Sequence, residues 1–354
     1  MTVWTDGKQI EHRFYEVDPS TWRDRRAFSL VTDCSITRDA SAELLGGAKM
    51  QVGEPVDREF YIREYLVATQ GGVSERVCLG THLAQNSRSD ADGKVIWRPL
   101  SCYSPLQELR DSPLPTFAQA AAGSDPVARA AAICRAGCRA PVMWSGASGA
   151  SLPDTLTAER GDDPLSFARK LLASAGMEIA VDEWGRISFE PIRPTSSLSP
   201  SWMYRDDEVS ILFPDASEEV RWSELPNAME LTMPCGTGQL VGRARNEDAD
   251  SPISTVRRGR VKVAREDGDA LPAGSTQEQA DARALERLKA LSCDTRTIIY
   301  RHGYCPVRLG DGVLFDYTRH EWTARLRVVR QVIECGSSSC TVTETGAGSE
   351  ILWR

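Results

Sequence analysis

His302 and Cys305 are the residues of this sequence that come nearest to a nucleophilic site. A histidine beside a cysteine can accept the thiol proton and leave a reactive thiolate. Cys305, however, directly precedes Pro306 in a turn, and no acidic residue stands at a recognisable spacing to orient the imidazole. We therefore predict that this pair is not catalytic, and we predict no catalytic residues elsewhere in the chain.

The sequence also contains fragments of metal-binding motifs. His320-Glu321 begins an HExxH zinc motif, but the residues that follow, Trp-Thr-Ala-Arg, do not supply the second histidine. The chain has 10 cysteines and no CxxC. Cys134 with Cys138 and Cys335 with Cys340 could supply four zinc ligands, but at spacings unlike those of common structural zinc sites. We predict no metal, no cofactor, and reduced, mostly buried thiols in a protein made in a reducing cytoplasm.

An aspartate between two glycines, Gly310-Asp311-Gly312, could hold a metal, bind a phosphate or form a tight bend. Glycine adopts backbone angles that other residues resist, and an aspartate can accept hydrogen bonds from its own backbone. We therefore predict a bend between two strands, formed by Pro306, Gly310, Asp311 and Gly312.

A helix is predicted over residues 276–292, where small and apolar residues recur at a helical period. Ser275 and Glu278 have the spacing of a capping box, in which each side chain bonds the other residue's backbone amide. These two residues are the predicted helix cap.

Composition restricts the class of protein. The chain has 354 residues, 41% of them hydrophobic and 26% charged, which is typical of a globular protein of two or three domains. A net charge of −8 argues against binding duplex DNA over the whole surface. We expect no membrane segment, because no stretch approaches the roughly 18 apolar residues of a spanning helix, and no secretory signal at the N-terminus.

The order of apolar runs and turn signals predicts a mainly β protein with an α+β insertion. Residues 1–110 are predicted to form a β-barrel that is completed by a returning strand near 205–232. Residues 111–200 are predicted to form an inserted helical and αββ domain, with helix starts at Asp125-Pro126 and Asp163-Pro164 and a flexible linker at residues 146–151. Residues 205–354 are predicted to form a second β-barrel that carries the helix over 276–292.

Several segments, in their order along the chain, resemble the baseplate hub proteins of phage tails, and siphophage relatives in particular. The C-terminal part is similar in its capped helix, the following strand, and the turn with Pro306, Gly310 and Asp311 at the matching places. The other similar segments are REYLVATQGG at 63–72 with ERVCLGTHL at 75–83, WRPLSCYSPLQEL at 97–109, the helix and hairpin at 164–191, LPNAMELTM at 225–233 and NEDADSPISTVRRGR at 246–260.

This resemblance implies a structural protein of the virion tail tip, assembled in the cytoplasm of the host bacterium, that is not an enzyme. Hub proteins form homotrimers in which two similar barrels per chain make a pseudo-six-fold ring between the tail tube and the tip. The implied partners are the distal tail or tube protein, the tape measure, and tip or fibre proteins. DNA would pass through the lumen without specific binding, and an acidic lumen would prevent the duplex from adhering.

Two other functions remain open from the sequence. One is a tail-associated peptidoglycan hydrolase or peptidase, for which no metal pair, catalytic triad or paired acids are found. The other is a β module that binds carbohydrate or the host surface, in which exposed Trp4, Trp184, Trp202 and Trp222 would stack on sugars.

Overall fold

The computed structural model describes residues 2–28, 31–115, 117–236, 238–272, 274–292 and 296–348. Cys293 and the last residues of the predicted second barrel lie outside the described residues. Within the described ranges, no helix is both long enough and apolar enough to cross a membrane.

Antiparallel strands make up the first part of the chain, and we call β1–β6 together with β9 the first block. The strands are β1 (Gln9–Asp18), β2 (Arg23–Ala27), β3 (Val31–Asp39), β4 (Gly46–Val52), β5 (Phe60–Gln70), β6 (Val73–Ser87), β7 (Asp90–Asp92), β8 (Val95–Trp97) and β9 (Pro99–Tyr103). β5 pairs with β1 on one side and β6 on the other, and the side chains on both of its faces are buried along most of its length. β7 and β8 form a separate short hairpin.

An inserted domain follows, with its own apolar core. Its elements are α1 (Leu106–Asp111), β10 (Gln119–Ala120), α2 (Pro126–Gly137), β11 (Leu156–Thr157), α3 (Pro164–Ser174), β12 (Met177–Val181) and β13 (Ile187–Pro191). The carboxylates of Asp125 and Asp163 accept hydrogen bonds from the first backbone amides of α2 and α3, which confirms both predicted helix starts. The predicted linker at 146–151 is anchored, since the Ser148 amide and hydroxyl both donate to Asp125 at 2.7 Å.

The last part of the chain combines strands with one long helix. Its elements are β14 (Pro200–Arg205), β15 (Leu212–Val220), β16 (Ala228–Cys235), β17 (Gly238–Arg245), α4 (Thr255–Arg258), β18 (Val263–Asp267), α5 (Gln277–Leu291), β19 (Arg296–Gly303), β20 (Gly312–Tyr317), β21 (Trp322–Cys335) and β22 (Cys340–Gly348). We call β14, β15 and β19–β22 the second block.

Helix α5 packs on a separate three-stranded sheet of order β17-β16-β18, and not on the strands of the second block. Met229, Leu231 and Leu288 belong to the core of this small unit. The backbone of α5 approaches β17 closely at Gly242, where a Cβ would overlap the carbonyl oxygen of Ala280. Gly242 therefore serves close helix–strand packing.

The cap of α5 differs from the prediction by one residue. Thr276 is the N-cap: its hydroxyl accepts from the Gln279 amide, and the Gln279 side chain accepts from the Thr276 amide at 3.0 Å. The predicted cap of Ser275 with Glu278 is wrong. Ser-x-x-Glu and Thr-x-x-Gln overlap in this sequence, and the helix begins one residue later than the first of them requires.

The two blocks form one continuous 13-stranded sheet, in which the main path runs β15-β19-β22-β21-β3-β4-β9-β6-β5-β1-β2. They meet where β3 pairs with β21, from Asp39 opposite Arg330 to Cys34 opposite Cys335, and we call this pairing the seam. The predicted returning strand near 205–232 is wrong, because β14, β15 and β16 pair with strands of the second block or the α5 unit. Which strand pairs with which depends on tertiary packing, and the local pattern of apolar and polar residues does not specify it.

β21 shows how the sequence directs side chains into the core. Ala324, Leu326 and Val328 alternate inward along its first half. A bulge between Val328 and Arg330 then shifts the register, so that Gln331 and Ile333 point inward in the second half. One apolar core thus extends through both blocks, and Gln331 brings a polar side chain into it.

Candidate functional site

Arg38 on β3 connects three parts of the molecule at the seam. Its Nη1 donates to Oε1 of Gln331 on β21 at 2.9 Å, and its Nη2 donates to the carbonyl oxygen of Leu79 on β6 at 2.5 Å. The same guanidinium lies 3.6 Å from the carboxylate of Glu183 in the inserted domain. Arginine suits this position because its planar group offers several donors in fixed directions.

A buried polar network continues from Gln331 into the second block. The Gln331 amide donates to Oε1 of Glu344 at 2.6 Å. The hydroxyls of Tyr300 and Tyr204 donate to Oε2 of the same carboxylate, at 2.8 Å and 3.1 Å. The fully buried Glu344 is therefore saturated with donors, as a charged group in an apolar core must be.

His302 supplies the positive charge that balances Glu344. Its Nε2 lies 3.5 Å from Oε1 of Glu344, and its Nδ1 faces the carbonyl oxygen of Gly303 at 2.7 Å. Burial favours the neutral imidazole, but the contacts with Cys305 and Glu344 outweigh it and raise the pKa of His302 to about 10. With an acceptor at each nitrogen, the ring is stable as an imidazolium.

Glu344 is thus the acidic residue beside His302 that the sequence spacing did not reveal. The geometry of His302 and Cys305 nevertheless favours a structural role. The Cys305 sulfur is 3.9 Å from Nδ1 of His302, and an imidazolium cannot accept the thiol proton. Both side chains are buried, with 0% and 2% of their surface exposed. A peptide or sugar substrate therefore has no access to the thiol in this conformation.

The turn of the inserted β12–β13 hairpin attaches that domain to the first block. Cys78 and Thr81 on β6 each donate to the carbonyl oxygen of Glu183 at 3.1 Å. The fully buried Arg63 lies over the ring of Trp184 at 5.1 Å. A Cβ at Gly185, which has φ of +70°, would lie 2.9 Å from Cβ of Thr81, so the close approach requires glycine.

A cleft between the seam and this hairpin has charged walls that pair with one another. Arg308 lies 3.2 Å from Glu183, and Arg327 lies 2.9 Å from Glu178. Cation and acid neutralise each other across the cleft, and because Arg308 is 66% exposed, its ion pair adds little to the attachment of the inserted domain.

The predicted turn lies beside the same cleft. The Asp311 carboxylate accepts from the Arg308 amide at 2.9 Å and from the Ser201 hydroxyl at 3.2 Å. Gly310 has φ of +87°, and Gly312 begins β20 in close contact with the chain before β14. Pro306 is exposed and starts the turn after the buried Cys305. In the described residues, no cluster of His, Cys, Asp or Glu side chains is arranged to hold a metal.

The tryptophans that could stack on sugars are not presented together. Trp4 is buried and packs edge-on against Tyr304, with ring centroids 5.1 Å apart, so the expectation that it is exposed is wrong. Trp202 is partly buried against the shared core, whereas Trp184, which carries Arg63 over one face of its ring, is 38% exposed. Trp222, on the loop after β15, is 46% exposed.

The overall architecture is similar to that of solved tail proteins. The prophage MuSo2 43 kDa tail protein from Shewanella oneidensis matches over 96% of this chain and 98% of its own, with a TM-score of 0.66 and 12% identity. A tail protein from Neisseria meningitidis MC58 matches over 97% and 98%, with a TM-score of 0.69 and 10% identity. The chain has the fold of phage tail proteins.

A prophage tail protein from Listeria monocytogenes EGD-e has the same tail-protein fold, with a TM-score of 0.53, 10% identity and 94% of each chain covered. No protein-family model matches the sequence, and no curated protein matches it. The resemblance to tail proteins and the mainly β fold with a helical insertion, both predicted from the sequence, are confirmed.

Proposed function

We propose that this chain is a baseplate hub of a phage tail tip, a structural protein and not an enzyme. The observation that carries the proposal is the seam, where β3 and β21 join two β blocks into one sheet above one core. A subunit that must present two β blocks to a ring at a fixed angle needs such a rigid connection.

The proposed assembly is a homotrimer that gives a pseudo-six-fold ring. Three chains with two blocks each provide six comparable positions, which would match a six-fold tail tube on one side and a three-fold tip on the other. The proposed partners are the distal tail or tube protein, the tape measure, and tip or fibre proteins. The ring would be assembled in the host cytoplasm and remain in the virion.

DNA passage through this ring is part of the same proposal. The net charge of −8 supports a lumen that repels the phosphate backbone, so that the duplex passes without binding. Replacing lumen-facing acids with neutral amides should then slow DNA ejection, and unchanged ejection would count against this part of the proposal.

Light scattering on the purified chain over a concentration series tests the assembly. We expect a species near three times the 39.0 kDa chain mass, and averaged electron micrographs of it should show a ring. A monomer that fails to form rings even when mixed with a tail-tube protein would overturn the proposal. Most soluble oligomers are dimers, so a trimer would be informative.

A further inference from the structure

Three cysteines lie in a row across three neighbouring strands at one end of the seam. Cys34 on β3 is directly opposite Cys335 on β21, which is directly opposite Cys340 on β22. All three side chains are buried and none is in a disulfide. The row is not used by the polar network or by the proposed hub assembly.

A shared metal does not fit this row. Neighbouring strands are about 4.8 Å apart, so Cys34 and Cys340 are separated by about two such spacings. Ligands of one zinc ion must bring their sulfurs to about 2.3 Å from it, which the outer two cysteines cannot do together.

Hydrogen bonds beside the row show which two cysteines are closer. The carbonyl oxygen of Cys340 accepts from the Tyr304 amide, on the side of β22 away from β21. Because the amide and carbonyl of one residue point to the same side of an antiparallel strand, Cys335 and Cys340 form a non-hydrogen-bonded pair. On the other side, the Ala40 amide donates to the Val329 carbonyl at 2.9 Å, and this register makes Cys34 and Cys335 a hydrogen-bonded pair.

This difference selects one disulfide over the other. Cα atoms are about 4.5 Å apart in non-hydrogen-bonded pairs and about 5.5 Å apart in hydrogen-bonded pairs, with side chains closer in the former. A disulfide needs Cβ atoms about 3.5–4.5 Å apart, so Cys335 and Cys340 require the smaller movement.

The surroundings of the row favour a thiolate at its centre. His12 on β1 has Nε2 3.0 Å from the Ser339 carbonyl oxygen, and its buried Nδ1 makes no hydrogen bond with the described residues. Contacts with Cys34, Cys340 and His12 lower the pKa of the Cys335 thiol despite its burial. Contact with Cys335, together with burial, raises the pKa of Cys340. Lys8 and Arg38 place positive charge near Cys340, where they oppose that rise without outweighing it.

We propose that Cys335 and Cys340 are a redox pair that a peroxide converts into a disulfide, with Cys335 as the attacking sulfur and Cys340 as the resolving one. The inference does not depend on the hub function. Cys335 and Cys340 would be two free thiols in a reducing cytoplasm and a disulfide in an oxidising medium.

The reaction balances with hydrogen peroxide as the only oxidant. The Cys335 thiolate attacks one peroxide oxygen, the O–O bond breaks, and the leaving hydroxide takes up the proton that the thiol had lost. The Cys340 sulfur then attacks the resulting sulfenic acid, the S–O bond breaks, and water leaves with the Cys340 proton. Two electrons pass from the two sulfurs to peroxide, and one disulfide and two waters are formed.

The product closes the short hairpin loop between β21 and β22. This loop includes Ser339, whose carbonyl oxygen faces His12 of the first block. The disulfide therefore fixes the loop where the second block touches the first, at the end of the seam.

Peptide mapping of the folded, full-length chain tests the proposal. The reduced, folded protein is treated with hydrogen peroxide and then unfolded, so that all remaining thiols can be alkylated. Trypsin releases residues 331–354 with both cysteines and residues 27–38 with Cys34. We expect the 331–354 peptide to lose two hydrogens and to carry no alkyl group, and dithiothreitol to reverse this. Cys34→Ser should give the same result, and Cys335→Ser should abolish it.

Cys235 serves as an internal control, since it is partly exposed and far from the row in sequence. Its loss of alkylation shows that peroxide has acted. If Cys335 and Cys340 are then both alkylated, or if Cys34 is found cross-linked to Cys335, the proposed pair is overturned.

Discussion

Arg38 donates a hydrogen bond of 2.9 Å to the side-chain oxygen of Gln331, across the strands that join the two blocks. Gln331 in turn donates to Glu344 at 2.6 Å, so a residue of the first block is linked through one amide to the buried carboxylate of the second. The seam is thus held by a polar chain as well as by backbone pairing and the apolar core.

Removing this arginine should destabilise the whole sheet. We expect Arg38→Ala to lower the free energy of unfolding by about 2–4 kcal/mol, because it leaves buried acceptors without a donor. Urea unfolding measures the change. Arg330→Ala is the matched control: Arg330 also lies on the seam, but it is 51% exposed and 3.5 Å from Asp39, and its loss should cost less than about 1 kcal/mol. Equal effects of the two variants would contradict the role given to Arg38.

The buried ion pair between His302 and Glu344 should make stability depend on pH. The folded-state pKa of His302 is about 10, above the value of about 6.5 for a free histidine. The stabilisation is therefore fully present below about pH 6.5 and is lost as the pH rises toward 10. Glu344→Gln removes the charge while keeping the shape, and should flatten this part of the curve. Urea unfolding of both proteins from about pH 6 to about pH 10 compares them, and parallel curves would show that the pair does not carry the dependence.

Because Thr276 is the N-cap of α5, substitutions at Thr276 and at its neighbour Ser275 should have different effects on stability. Thr276→Ala should destabilise the protein by about 1 kcal/mol, because the amide of Gln279 loses its acceptor. Ser275→Ala should have little effect. Thermal unfolding followed by circular dichroism measures both, and a larger effect at Ser275 would restore the cap predicted from the sequence.

Substitution of Gly310 should destabilise the protein only because of the backbone conformation at this position. It has φ of +87°, while the nearest atom to an added Cβ is a guanidinium nitrogen at 3.8 Å. Gly310→Ala should therefore cost about 1–2 kcal/mol through strain, without a steric clash. Gly7→Ala, at a position with open space and no positive φ, is the control. Similar melting temperatures for the two variants would mean that the turn can adopt another conformation.

Features that depend on a few adjacent residues were predictable from the sequence. Asp125-Pro126 and Asp163-Pro164 start helices as expected, because a cap and the first turn lie within four residues. Ser275 shows the limit of this reasoning, since two overlapping capping patterns differ by one residue and only the packed helix selects between them.

Features that depend on distant residues were not predictable. β1 pairs with β5 across about fifty residues, and its pattern of partly buried side chains gave no clear signal. Glu344 lies far along the chain from His302, so the acid beside that histidine could not be found by spacing. Gln331, two residues before Ile333, and Glu344, two residues after Val342, occupy inward positions of their strands, which hints at a buried polar network.

The seam also determines how the molecule bears mechanical load. The hydrogen bonds between β3 and β21 run across the strands, so a force applied along them loads every bond in shear, and all must break together. A force applied across the strands would open the same bonds one at a time. The backbone bonds of the seam should therefore resist a pull parallel to β3 better than a pull that separates β3 from β21.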